Sequence, residues 1–286
     1  MSADQRVAVL ASRIRADEKR ILAELDRRSI GYDVVDTRTL TSYLDSPRPP
    51  WAAVLVREIG QVRAVYAART LESLGTVTVN GATAIEVCGD KWRTSLALRE
   101  AGLPTPRTGL ALTTDAAAEM LDGLGYPAVI KPLVGSWGRL VSRVGDPGTA
   151  QMVLEHVEAL PGPQSHVVYA QEWIPNPGRD IRAIVVGGEL VGAVYRSGDD
   201  WRSNVARGAT TVFCDATEEL AKLAVQAAAC VDADVAGVDL IEDPAGRLLV
   251  LEVNHGVEFS GFQRAAGDRV DVAARIVDHL LARAER

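Results

Sequence analysis

The sequence predicts an α/β chain, α+β in its later parts, divided into two or three subdomains. Three observations predict it. Strand and helix signals alternate from residue 6 to residue 79. In the middle of the chain a strand ending in Lys131 runs into a glycine-bearing loop and a second strand. Two apolar hairpins follow, one turned by Gly187-Gly188 and one by the Pro/Gly segment 243–247. At 286 residues, with 47% hydrophobic and 24% charged residues, the composition is that of an ordinary soluble enzyme. A net charge of −7 argues against general nucleic-acid binding. No apolar run is long enough to span a membrane, and the first residues lack the apolar core of a signal peptide. Cys88, Cys214 and Cys230 show no metal or redox spacing, which fits thiols in a reducing cytoplasm. The four histidines are scattered, which argues against zinc.

In order, residues 6–11 read as a strand and 17–28 as a helix with Ile21, Leu22 and Leu25 on one face. Residues 32–35 and 51–56 are strands, 61–74 a helix stopped by Gly75, and 76–79 a strand. This is a small open α/β domain ending near Asn80. Arg13, Arg15, Lys19 and Arg20 form a basic cluster in an acidic protein. It is either a solvated helix face or a dock for an acidic partner. A helix over 90–101 is capped by Asp90 and stopped by Gly102, with Lys91 in its first turn. A helix N-terminus beside a lysine favours an anion, although first-turn lysines are also common surface residues.

Residues 103–106 read as a linker and 115–124 as a helix. A strand over 126–132 carries Lys131 at its end, and the strand 140–144 returns after the loop 133–139. Gly135 and Gly138 let backbone N–H groups approach phosphate closely, and Ser136 adds a donor; the alternative is a plain turn. A helix over 148–160 precedes a strand over 165–174. Gln171 and Glu172 close to its end could meet an adenine edge and ribose, or face solvent. The first hairpin puts Asp180 and Arg182 on one face and ends its second strand at Arg196. Asn204 and Arg207 lie in a short loop, and Thr217 caps a helix over 217–232. The second hairpin sets Asp239 and Glu252 side by side, with Asn254 two residues on and on the same face. Two carboxylates and an amide in apolar surroundings suit Mg²⁺; solvent-facing acids are the other reading. A last amphipathic helix, 270–284, packs.

Taken together these pieces resemble the ATP-grasp carboxylate–amine ligases of the RimK-like branch. Within that branch the chain is most similar to the LysX-type ligases, which act on a small acidic amino-group carrier protein, LysW. The resemblance rests on Ser12-Arg-Ile-Arg-Ala-Asp-Glu18, Val87-Cys-Gly-Asp-Lys-Trp92, Lys131-Pro-Leu-Val-Gly-Ser-Trp-Gly-Arg139, Pro177-Gly-Arg-Asp-Ile-Arg182 and Glu252-Val-Asn-His-Gly-Val-Glu-Phe259. It implies an ATP-grasp fold with a Rossmann-like pre-ATP-grasp domain at 1–88, a central lid subdomain at 89–173 and a C-terminal subdomain at 174–286.

The resemblance also implies roles. Lys91 and Lys131 would hold ATP phosphates under a flap of Gly135, Ser136, Trp137 and Gly138. Gln171, Glu172, Trp173 and Ile174 would line the adenine site. Asp239, Glu252 and Asn254 would bind Mg²⁺, and Arg182 and Arg207 would neutralise the transferring phosphoryl group or the acceptor carboxylate. Arg196, Asn204, Arg207 and Glu258 are the expected substrate residues, and Arg13 and Arg15 the expected carrier contacts.

The implied reaction joins the α-amine of an aminoadipate- or glutamate-like amino acid to the C-terminal Glu γ-carboxylate of the carrier through an acyl phosphate. Alternatives are glutamate ligation to another protein or peptide, and a nucleotide-binding protein without turnover. Implied partners are the carrier and the amino acid, with no nucleic acid or membrane, in a cytoplasmic homo-oligomer (dimer or tetramer). The chain departs from these relatives at Val205, at Gly60-Gln-Val-Arg63 and at Gly256 to Gly261, where their polar residues give way. The departures fall at the amino-acid end of the expected site.

Overall fold

The computed structural model describes residues 6–135, 140–198 and 210–285. Three sheets organise them. The first is fully parallel, in the order β2-β1-β3-β4, from β1 (Arg6–Leu10), β2 (Tyr32–Val35), β3 (Trp51–Val56) and β4 (Val77–Val79). Both faces are covered by helices, which is why β1 and β3 read as near-continuous apolar runs. Helix α1 (Ala16–Arg27) buries Ile21 and Leu25 on one side, and α2 (Gln61–Ser73) buries Ala64, Ala68 and Leu71 on the other. Helix α3 (Ala82–Cys88) is an addition to the expected elements. Its seven residues carry no side-chain cap, so its ends left no local signal.

Helix α4 (Lys91–Glu100) starts where expected, with the Asp90 carboxylate accepting from the backbone N–H groups of Trp92 and Arg93. The second sheet is antiparallel, in the order β5-β8-β6-β7, from β5 (Thr108–Ala111), β6 (Ala128–Lys131), β7 (Ser142–Val144) and β8 (Val168–Glu172). β5 follows the expected linker; its four residues Thr-Gly-Leu-Ala are too few to show alternation. Helices α5 (Thr114–Leu124) and α6 (Pro147–Glu158) cover one face through Leu121 and Leu154.

The third sheet runs β11-β10-β9-β12-β13 and is also antiparallel. Its strands are β9 (Arg179–Val186), β10 (Glu189–Ser197), β11 (Thr210–Cys214), β12 (Val235–Glu242) and β13 (Leu248–Asn254). Helix α7 (Glu218–Cys230) packs on one face together with Leu98 of α4. Short α8 (Ser260–Ala266) and amphipathic α9 (Val272–Ala284) cover the other. Ile276 and Leu280 of α9 share one core with Val7, Ile21 and Leu55 of the first sheet and with Ile184 and Val194 of the third. The last helix thereby cements the N-terminal domain to the five-stranded sheet. Asn80 fastens the same joint: its Nδ2 donates to the carbonyls of Val235 (2.7 Å) and His255 (2.9 Å), and its Oδ1 accepts from Val235 N (2.8 Å). No helix among the described residues is long and apolar enough to cross a membrane.

Candidate functional site

One cleft of about 580 Å³ runs between the second and third sheets and on to the carboxyl ends of β1 and β3. Its walls include Lys91, Lys131, Gly135, Gln171, Glu172, Trp173 and Ile174, and then Arg182, Arg196, Asp239, Glu252, Asn254, Arg15 and Glu258. Fourteen separately expected residues thus share one cavity, drawn from eight stretches of sequence between residues 15 and 258. Ser136, Trp137, Gly138, Asn204 and Arg207 lie outside the described residues. Arg13 is exposed and does not line the cleft.

At one end Lys131 closes β6, and its Nζ donates to Gln171 Oε1 at 2.5 Å on neighbouring β8. Burial pushes the Lys131 ammonium down to about 8; Lys91 adds to the push, while Glu252 and Asp239 oppose it. Lys91 stands at the start of α4, which a bridge between Asp90 and Val134 ties to the chain just after β6. Its Nζ donates to the Gly135 carbonyl at 2.8 Å. Gly135 has φ of +73°, a conformation that favours glycine, so the turn into the loop depends on it. Two ammonium groups and a helix N-terminus therefore face the cleft together, a setting that favours phosphate. Glu172 is fixed at the end of β8, where Oε1 accepts from Arg107 N at 2.7 Å. The Arg143 guanidinium lies over the Trp173 ring, 4.3 Å from its centre.

At the centre, β12 and β13 pair with Asp239 directly opposite Glu252 and Gly237 opposite Asn254. The register shifts between Asp239 and Leu240, leaving Leu251 as an extra residue. That bulge lets adjacent Leu251 and Glu252 both line the cleft, which strict alternation forbids. Asp239 is 4% exposed and is held by two arginines. Arg182 binds it bidentately, and Arg196 Nη2 lies 3.1 Å from its Oδ1. Burial pushes the Asp239 carboxyl up, and the Arg182 and Arg196 charges outweigh it, holding the group below the usual carboxylate range. Arg196 also pairs with both oxygens of Asp180, at 2.7 and 2.8 Å. Expected as a substrate residue, Arg196 is thus buried with its guanidinium spent on two carboxylates. Gly237 makes room for the arrangement: a Cβ there would sit 3.2 Å from the Arg182 side chain and 2.7 Å from Val257 Cγ2.

Among the described residues no cluster of three or more His, Cys, Asp or Glu side chains is arranged to hold a metal. The expected seat instead combines two carboxylates with an amide. Among the described residues Glu252 accepts from Asn254 Nδ2 (3.2 Å) and its carboxyl lies within hydrogen-bond reach of Asp239, no arginine or lysine pairs with it, and no donor claims Asn254 Oδ1. An uncommitted carboxylate, an amide oxygen and a second carboxylate are hard donors of the kind Mg²⁺ takes, so the residues fit that ion.

The far end belongs to the N-terminal domain. Arg57 and Glu58 follow β3, and Arg15 caps α1, at the carboxyl ends of parallel strands where open sheets bind ligands. Arg15 donates to Glu18 and to Glu258 (2.7 Å). Arg57, its side chain 2% exposed, donates to Glu18 (2.9 Å) and to the Val257 carbonyl (3.0 Å). Gln61 Nε2 is spent on the Ile85 carbonyl, so its Oε1 accepts from His255 Nε2 at 3.0 Å. Burial, with Arg57 adding, pushes His255 down to about 4, so the ring is neutral at pH 7. Sequence reasoning passed over Arg57, His255 and Arg264 in this wall. The position of Arg57 just past a parallel strand was the available signal for it; Arg264, on the unforeseen α8, had none.

Residues 88–280 match the model of the RimK-like ATP-grasp domain, and residues 7–87 that of the LysX preATP-grasp domain. The chain is 32% identical over 277 residues to the glutamate–LysW ligase ArgX of Sulfurisphaera tokodaii, covering 96% of this chain and 98% of the relative. It is 31% identical over 265 residues to the α-aminoadipate–LysW ligase LysX of the same organism, covering 90% and 92%. A RimK domain ATP-grasp protein from Sphaerobacter thermophilus superposes with a TM-score of 0.79 at 26% identity, covering 96% of this chain and 99% of that one.

Proposed function

This chain belongs to the RimK-like ATP-grasp family, and we propose that it joins the α-amine of a glutamate- or aminoadipate-like amino acid to the C-terminal Glu γ-carboxylate of a small acidic LysW-like carrier protein. The reaction consumes ATP and yields ADP, phosphate and an amide, by way of an acyl phosphate. The observation that carries the reading is the shared cleft: phosphate-favouring Lys91 and Lys131 open onto the same space as Asp239, Glu252 and Asn254.

A carboxylate is a poor acyl donor, and phosphorylation gives it a leaving group. Transfer of that phosphoryl group needs positioning and charge neutralisation more than a protein nucleophile. Lys91 and Lys131 neutralise phosphate oxygens, with Gly135, Ser136, Trp137 and Gly138 assigned to the same nucleotide. Gln171 to Ile174 offer backbone groups and the Glu172 carboxylate to the nucleoside. Asp239, Glu252 and Asn254 would hold Mg²⁺, which when bound supplies charge neutralisation between phosphates. Arg207, and Arg182 through the guanidinium N–H groups left by its pair with Asp239, hold the transferring group or the acceptor carboxylate. Arg196 acts through Asp239, fixing it against β9 and β10, and touches no reactant. Glu258 stands at the amino-acid end, and Asn204 is assigned to the same substrate. The functional parts divide at 1–88, 89–173 and 174–286, with the amino-acid end walled by the first and third.

For the carrier, the free charges are Arg13, Lys19 and Arg20, all exposed and without an ion pair among the described residues. Arg15 instead faces the cleft, committed to Glu18 and Glu258. The test is ADP release by the purified protein with MgATP, an acidic carrier ending in Glu, and an amino acid. Release that requires both carrier and amino acid supports the reading; release indifferent to the carrier contradicts it.

A further inference from the structure

The far end of the cleft contains acids and bases whose charges are almost all spent. Asp17 accepts from Phe259 N (2.9 Å) and from the Ser260 hydroxyl. Glu58 accepts from Ser12 N, Thr37 Oγ1, Gly60 N and Arg63. Glu258 is taken by Arg15. Every carboxylate on this wall is therefore answered by a protein donor. The cations differ. Arg57 keeps one guanidinium nitrogen, Nη2, buried without a hydrogen bond, 4.0 Å from Asp17. Arg264, in the last turn of α8, lines the cleft, is exposed, and has no hydrogen bond, ion pair or ring contact among the described residues. Every other lysine and arginine lining the cleft there donates to a protein acceptor. Unspent charge at this end is thus positive, and an anion is what it accepts.

We infer that Arg264 binds the side-chain carboxylate of the incoming amino acid and so selects dicarboxylic donors. This rests on the ligase reading above. The α-carboxylate is one carbon from the attacking amine and must lie near the reacting centre. Arg264 sits a full helical turn past Ser260 on α8, whereas Asp239, Glu252 and Asn254 sit on β12 and β13; it lines the same cleft from a different element, which assigns it to the distal carboxylate. Asp17 anchors the start of α8 through Phe259 and Ser260, which fixes the helix that carries Arg264. The fixed charge of Arg57 behind the same wall adds to the field. A guanidinium can grip a carboxylate with two parallel N–H donors, and a neutral amide side chain offers no charge in return.

The experiment uses the full chain with Mg²⁺ and a non-hydrolysable ATP analogue, and no carrier. L-glutamate, L-2-aminoadipate and the neutral L-glutamine are titrated calorimetrically into the unaltered protein, Arg264→Ala and Arg264→Lys. The expected result is that the unaltered protein binds one of the two acids roughly tenfold or more tighter than the amide, the scale of one charged hydrogen-bonded contact. Arg264→Ala loses that preference at an unchanged melting temperature, and Arg264→Lys keeps part of it. An acid-to-amide ratio that survives in Arg264→Ala overturns the inference, and so does an unaltered protein with no preference for either acid. Because no carrier is present, failure to load a carrier would strike the acceptor assignment alone.

Discussion

Asp239 stands directly opposite Glu252 across β12 and β13, and among the described residues only Asp239 is claimed by arginine. The pair is therefore asymmetric. One carboxylate is anchored and the other is left for a ligand.

Glu252→Gln should remove that available carboxylate while leaving the hairpin paired. The expected result is loss of turnover by at least a hundredfold, the scale of a lost electrostatic contact to a transition state, with an unchanged melting temperature. Asp239→Asn, by contrast, leaves Arg182 and Arg196 partly unanswered. It should cost both turnover and stability, which thermal denaturation of the two variants side by side will show.

Arg196 gives a second contrast. As a strut between Asp180 and Asp239 it is 4% exposed. Arg196→Leu strands Asp180 and takes one of the two arginines from buried Asp239, and should destabilise the fold by about 3 kcal/mol. A surface-mounted substrate ligand would leave stability unmoved, so denaturant unfolding decides between the two roles.

Lys131 makes nucleotide binding pH-dependent. Its ammonium, pushed down to about 8, is the phosphate-binding form. Affinity for ADP should therefore fall as pH rises past 8, by up to about tenfold per pH unit. Stability moves the other way. Burying the charge costs free energy below the folded value, and that cost is relieved as pH climbs from there towards the ordinary lysine range. Lys131→Arg should abolish the alkaline fall in affinity, measurable by titration calorimetry between pH 7 and about pH 9.5.

Arg13, Lys19 and Arg20 carry the carrier-docking reading. Reversing all three to Glu should raise KM for an acidic carrier severalfold, more at low salt than at high, while KM for ATP stays put. Steady-state kinetics at two ionic strengths would check both.

Much of this was legible in the chain. The alternation over residues 6–79 and the Asp90 cap gave the N-terminal domain and α4, because both are local signals. The pairing of Asp239 with Glu252 followed from two apolar runs about a Pro/Gly turn. The bulge at Leu251 did not, since nothing local marks where a ladder slips. Nor did the commitment of Arg196 to Asp180 and Asp239, which depends on β9, β10 and β12 lying side by side. Short β5 and α8 escaped because their few residues cannot display a period. Arg57 and Arg264 became visible only once the first and third sheets met around one cleft.

The most direct measurement is intact and fragment mass spectrometry of a purified acidic carrier after incubation with the protein, MgATP and glutamate or aminoadipate. The account predicts a gain of one amino-acid residue on the side chain of the carrier's C-terminal Glu, one ADP per residue added, and no gain with Glu252→Gln. ADP formed with an unmodified carrier, or a residue attached elsewhere on it, would contradict the account.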